Sequence, residues 1–306
     1  MKILVTGSSG FIGAAIVEHL VASGHEVIGL HAHAKTDTSD MFHRDVVADI
    51  ASAEDIAHLS KDIAPCDAII HAAASLDMGL HSTEISRVNC MGLQNMLWLS
   101  LQWRKNRFIF LSSLPVIGTP RILPIREDHP VQPLTAYHAS KLFGEQIVRL
   151  AEKQGVTTMS LRLTAPVGPR IPKNRLLSVF VRRALNGEPL EVSGQGTRKQ
   201  NYIDVRDIAK ATELCLQGNA SGVYNIAASS SISNVDLAKL CIARCDLSSA
   251  TLFNGRDDHE DGYVWDISIE KARTELGFVP KFDINDAIDA AKADLAENDQ
   301  GKQLDD

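Results

Sequence analysis

Thr6-Gly7-Ser8-Ser9-Gly10-Phe11-Ile12-Gly13 closes a short apolar run at residues 2–6 and opens an amphipathic stretch at residues 10–22. This placement decides the fold. A tight exit from a strand needs glycine conformations, and close approach of a pyrophosphate needs missing side chains. A helix N-terminus adds unpaired N–H groups at the positive end of its dipole. An ordinary strand-to-helix turn is the alternative. The position at the first strand–turn–helix unit favours dinucleotide binding, with Gly7, Ser9, Gly10, Phe11, Ile12 and Gly13 on the phosphate side.

Working outward, apolar runs at 26–30, 68–71, 107–111 and 157–163 alternate with helical patterns at 10–22, after Ser52, at 83–101 and at 136–152. The runs are continuous rather than alternating in polarity, as in a parallel sheet covered on both faces. The expected fold class is therefore α/β, a doubly wound parallel sheet. Pro166, Pro169 and Pro172 mark a border, because such a run interrupts a helix or central strand. The expected division is a dinucleotide-binding domain over 1–165, with 200–227 returning to it. A smaller mixed α/β lobe for substrate takes 166–199 and 228–296, and a polar tail frays over 297–306.

Composition excludes several classes. The 306 residues are 44% hydrophobic and 23% charged, an ordinary globular mixture. With 31 basic against 38 acidic residues the net charge is -7, which gives no electrostatic footprint for nucleic acid or an acidic membrane. No apolar run is long enough for a membrane span or a signal-peptide core. Five cysteines without a CxxC pair suggest reduced thiols and a cytoplasmic protein, with neither a disulfide framework nor a zinc site. The partner implied is a small molecule.

At the end of the strand at 26–30, where an NAD site usually places a carboxylate for the ribose hydroxyls, stand His31, Ala32, His33 and Ala34. With Lys35 nearby, NADP is favoured slightly over NAD, although Asp37 or Asp40 could fold back onto the ribose, and a solvated loop is the alternative for the histidines. His31 and His33 have no third ligand candidate, so no metal is expected. Asp49 and Ile50 offer one polar and one apolar contact to an adenine.

Tyr137-His138-Ala139-Ser140-Lys141 puts a phenol and an ammonium at i and i+4, on one helix face. A cation in reach favours the phenolate, so such a pair suits acid–base chemistry. A half-buried packing tyrosine is the alternative. Ser112-Ser113 ends an apolar run on the carboxyl side of the expected sheet, the edge at which α/β folds bind ligands, and a turn is its bland reading. No G-x-S-x-G occurs, which disfavours serine hydrolysis.

The chain resembles the extended short-chain dehydrogenase/reductases, and within them the NAD-dependent epimerase/dehydratase family. The resemblance rests on Thr6–Gly13, Tyr137/Lys141 and His71-Ala72-Ala73-Ala74. It also rests on Asn89, Ser113 placed relative to Gly118, Leu161-Arg162, Pro166-Val167-Gly168-Pro169, Tyr202–Ala209, Tyr224-Asn225-Ile226 and Leu276–Pro280. It implies a Rossmann fold and catalysis by Ser113, Tyr137 and Lys141. It implies cofactor contacts from His71, Ala72, Ala73, Asn89 and Pro166, with Asn89 supporting the lysine. The implied activity is hydride transfer at a hydroxyl or carbonyl carbon of a sugar or sugar nucleotide. Family members often pair through the helices at 83–101 and 136–152, so a homodimer is implied.

The chain also departs from the family. Ala165 replaces the asparagine that contacts the substrate diphosphate, Ile117 replaces a tyrosine, and Leu114-Pro115 replaces an acidic pair of dehydratases. Arg170, Arg175 and Arg198 remain as candidate phosphate grips. Alternatives are an NADP-dependent reductase of a small carbonyl compound and a dinucleotide-sensing protein without catalysis.

Overall fold

A computed structural model describes residues 1–32, 44–77, 79, 82–103, 106–245 and 249–303. The apolar runs of the first half form the middle of a seven-stranded parallel sheet: β1 (Lys2–Thr6), β2 (Glu26–His31), β3 (Arg44–Val47), β4 (Ala68–His71), β5 (Arg107–Ser113), β6 (Thr157–Leu163) and β10 (Gly222–Ile226). Its order is β10-β6-β5-β4-β1-β2-β3, so the chain winds outward from β1 in both directions. The order reverses between β1 and β4, and the carboxyl ends of these strands border the crevice where open α/β sheets bind ligands.

Both sheet faces are covered, which is why its strands carry no polar alternation. On one face α1 (Phe11–Ala22) and α6 (Val205–Leu214) enclose a core with Ile16, Leu20, Ile208 and Ala211. On the other lie α2 (Ala53–Asp62), α3 (Leu93–Trp103) and α4 (Ala136–Glu152), around Ile56, Met96, Leu99 and Val148. The Ser52 hydroxyl caps α2 by accepting from Asp55 N at 3.1 Å and donates to the Asp55 carboxylate at 2.8 Å. Before α3, residues Ile85–Gly92 widen into a π-helix, a form common at functional sites.

A second core joins α5 (Leu176–Leu185), α7 (Asn234–Cys245) and α9 (Ile284–Gln303) with the pair β8 (Leu190–Val192) and β12 (Thr251–Phe253). Between the cores runs a three-stranded sheet of β11 (Ser231–Ser233), β9 (Lys199–Asp204) and β7 (Ala165–Val167). Pro166 sits on β7 at its edge, the place where a missing N–H is tolerated.

Two borders differ from the sequence reading. Within 200–227 α6 and β10 return to the first core, while β9 pairs in the bridging sheet and sends only Ile203 into that core. Conversely Ile269, Ala272, Leu276 and Phe278, around α8 (Glu270–Leu276), pack on the first core. Helix α9 continues to Gln303, past the last apolar residue of its pattern, because backbone bonds propagate a helix beyond its packed face. Among the described residues no helix is long and apolar enough to cross a membrane.

Candidate active site

The glycine turn has no room for side chains. Gly7 adopts φ +66°, and a Cβ there would stand 2.8 Å from the backbone of Ala73. At Gly13 a Cβ would fall 2.1 Å from the Gly7 carbonyl oxygen. Helix α1 starts from Gly10 with no side chain capping its first turn, which leaves a bare positive helix end beside the turn. These features fit a pyrophosphate. Gly7, Gly10, Phe11, Ile12 and Gly13 line a cleft of about 620 Å³, together with Ala72, whereas Ser9 lies outside its wall.

His31 is buried behind this turn rather than solvated. Its Nδ1 lies 3.3 Å from the Ser8 hydroxyl and its Nε2 3.0 Å from the Asp45 carboxylate. A carboxylate therefore does reach the tip of β2, delivered by β3 across the sheet. Asp45 carries no signal in the sequence because β3 is a short, mostly exposed strand without an apolar run. His33, Lys35, Asp37 and Asp40 lie outside the described residues. Asp49 accepts from Arg87 and from Ala51 N at 2.9 Å, and the buried side chain of Ile50 lies where a Cβ on Gly92 would meet it. Neither residue lines the cleft, and Ala73 does not line it either.

Alternation along β5 separates the two serines. Ser112 turns inward and donates to Glu145 at 2.6 Å, and Arg162 forks onto the same carboxylate with two bonds of 2.9 Å. Both serines border the cleft, and Ser113 is the less buried of the two and the one whose hydroxyl is not committed to Glu145. Thr135 caps α4 by accepting from His138 N at 3.2 Å, so Tyr137 and Lys141 fall on its first turns and face the cleft. The absence of a side chain at Gly144 lets α4 lie against the Phe110 ring, where a Cβ would come within 2.4 Å.

Lys141 is buried, donates to the Leu111 carbonyl at 2.7 Å and lies 5.7 Å from the centre of the Tyr137 ring. Burial pulls its ammonium down to about 8 and pushes the Tyr137 phenol up to about 12, with the Arg175 charge offsetting only part of the latter. The expectation of a phenol drawn toward phenolate by Lys141 is therefore not met. Tyr137 stands as a protonated phenol at neutral pH, a proton donor.

His71 does not line the cleft. It is 1% exposed, with Nδ1 3.0 Å from the Thr6 hydroxyl, and burial and Lys141 hold it down to about 3, so it stays neutral. Asn89 makes no bond to Lys141: it accepts from Ser75 N at 2.7 Å and donates to Ser75 O at 3.1 Å and to the Ser140 hydroxyl at 2.9 Å. Thus it ties the loop after β4 to α4 one residue before the lysine.

The three arginines separate. Arg170 adopts φ +61° and forks onto Glu18 of α1, while its N–H is accepted by Asp294, outside the cleft. Arg198 pairs with Glu260 at 2.9 Å and Asp258 at 3.5 Å and is also absent from the wall. Only Arg175 lines the cleft, with Pro166, Asn174, Gln200, His138 and Trp265. Trp265 and Gln200 carried no signal in the sequence, whereas His138 lay within the stretch that held the tyrosine and lysine.

The profile of the NAD dependent epimerase/dehydratase family matches residues 3–227. The chain belongs to this family. Among relatives of this family member, the low-salt glycan biosynthesis protein Agl12 of Haloferax volcanii is 29% identical, over 95% of this chain and 97% of its own. A dTDP-glucose 4,6-dehydratase of Streptomyces niveus is 28% identical, over 94% of this chain and 90% of its own. In three dimensions the chain is similar to UDP-glucose 4-epimerase of Thermotoga maritima with UDP-glucose, at TM-score 0.87 and 21% identity, over 97% and 99% of the two chains. UDP-glucuronic acid 4-epimerase of Bacillus cereus, in complex with UDP-glucuronic acid and NAD, gives TM-score 0.84 at 24% identity, over 97% and 99%. These likenesses match the doubly wound fold.

Proposed function

We propose that this enzyme transfers hydride between a nicotinamide dinucleotide and a hydroxyl-bearing or carbonyl carbon of a sugar or sugar nucleotide. The observation that carries the reading is one cleft walled by the glycine turn, Ser113, Tyr137 and Lys141 together. Bound at the turn, the dinucleotide supplies the hydride donor and acceptor. Ser113 fixes the reacting oxygen. Tyr137 gives that oxygen its proton when a carbonyl is reduced and recovers it when a hydroxyl is oxidised. Lys141, anchored on Leu111 O, holds a positive charge under the site and positions the cofactor ribose.

The sheet domain holds the dinucleotide and the α5–α7–α9 lobe closes over the substrate. Asp45, beside His31, favours ribose hydroxyls over a 2'-phosphate, so NAD is the preferred cofactor. The relatives' names support a sugar nucleotide and a recycled cofactor, as in an epimerase. Ala165 in the wall supports a second reading, net reduction of a smaller carbonyl compound. Free cysteines agree with a cytoplasmic protein, and exposed Met91, Trp98 and Leu150 offer apolar surface for pairing of two copies.

Mass spectrometry of small molecules released from gently purified protein tests the cofactor: NAD is expected. Under an added substrate, unchanged NAD while product forms supports recycling, and stoichiometric loss of NADH supports net reduction. No dinucleotide binding at all defeats the proposal.

A further inference from the structure

We propose that the lobe side of the cleft receives one anionic group, and that the substrate is a hydroxy or keto compound bearing a single carboxylate or phosphate monoester rather than a nucleoside diphosphate. This rests on the hydride-transfer reading above and narrows its substrate class.

The lobe side of the cleft is poor in free cations. A nucleoside diphosphate presents two adjacent phosphoryl groups; the glycine turn is taken by the dinucleotide, so on the lobe side such groups would be met by several guanidinium or ammonium donors. Of the cleft's wall Lys141, Arg175 and His138 are basic among the described residues; Lys141 is buried on Leu111 O, and burial lowers the His138 pKa and favours its neutral form. Arg170 is turned away onto Glu18, and Arg198 is matched by Asp258 and Glu260. Arg206, the next basic residue after the bridging strand β9, is forked onto Asp204 with two bonds of 2.8 Å. Arg175 makes no ion pair among the described residues, so one side chain is left for an anion.

Arg175 has surroundings suited to an anion. It is the cap residue of α5, a ten-residue helix with no side-chain cap, so its charge and the helix's positive end stand together at the cleft. Trp265 lines the same cleft, is 6% exposed, and its buried indole N–H meets no acceptor among the described residues. A buried donor without an acceptor is costly, and an oxygen of a bound anionic group would satisfy it. The bulk of Trp265, packed on Leu114, Val116, Ile117 and Ile125, also takes up space on that side. Ala165 supplies no polar group beside it.

The test uses the full-length Tyr137→Phe protein, whose turnover is expected to be at least ~100-fold slower, saturated with NAD after NAD binding has been measured separately. Titration calorimetry then compares gluconate, glucose 6-phosphate, glucose and UDP-glucose. The expected result is that gluconate or glucose 6-phosphate binds at least about tenfold tighter than glucose and no weaker than UDP-glucose, with affinity falling as salt rises. Gluconate and glucose 6-phosphate separate a carboxylate site from a phosphate site. Arg175→Gln should cut the monoanion's affinity at least about tenfold and leave NAD binding unchanged. A Trp265→Phe variant, which keeps the ring packing, should weaken the same probe about threefold or more. Tighter binding of UDP-glucose, no saturable binding of either monoanion, or indifference to Arg175→Gln would each overturn the inference. Failure to bind NAD would count against the hydride-transfer reading instead.

Discussion

On the sheet side of the cleft the reacting groups stand on regular elements. Ser113 ends β5, Tyr137 and Lys141 share the first turns of α4, and the glycines bridge β1 and α1. On the lobe side Arg170 and Arg198 lie in turns and loops, and distant carboxylates decide where their side chains go. The first wall is set by backbone geometry, which local sequence encodes. The second is set by partners such as Glu18, 152 residues away from Arg170 in sequence, and no spacing rule announces them.

The largest effect should come from the buried charge network beneath the sheet wall. Glu145→Ala leaves Arg162 buried without its carboxylate and should cost about 3–5 kcal/mol, read from the denaturant midpoint. A loss under 1 kcal/mol would mean that this wall is less rigid than its packing implies. For Lys141→Met, turnover should fall about 100-fold or more while stability below pH 8 rises by about 1–3 kcal/mol. The sign follows from burial: the folded pKa, about 8, lies below the unfolded value of 10.5. Between these values the unfolded chain binds more protons, so wild-type stability climbs from pH 8 to 10.5 and the advantage of methionine fades. Flat stability in both proteins would contradict a buried ammonium.

His71 gives the opposite limb. Its folded pKa of about 3 lies below 6.5, so stability should fall by several kcal/mol as pH drops from 6.5 toward 3, measured by thermal melts. The smallest effect belongs to the ribose end. Asp45→Asn should shift the NAD-to-NADP affinity ratio about tenfold toward NADP, and an unchanged ratio would remove Asp45 from cofactor choice.

The glycine turn, the strands through Leu163 and the positions of Ser113, Tyr137 and Lys141 were legible because periodicity and glycine spacing are local properties. Asp45 was not, since it meets His31 only across neighbouring strands. His71 and Asn89 were placed near the cleft by likeness, yet their side chains turn to Thr6 and to Ser75 and Ser140, supporting the loop after β4 rather than touching the site. The i, i+4 spacing brings the lysine close to the phenol but says nothing of burial, which raises the phenol's pKa here.

The most direct measurement is the pH–rate profile of hydride transfer for wild type and Tyr137→Phe at saturating NAD, with cofactor affinity measured alongside. The account predicts that hydroxyl oxidation by the wild type accelerates as pH rises above neutrality, because the phenol must lose its proton. It predicts that the phenylalanine variant binds NAD normally but turns over at least ~100-fold more slowly, without that rise. Wild-type activity in the variant, or an unaltered profile, would contradict it.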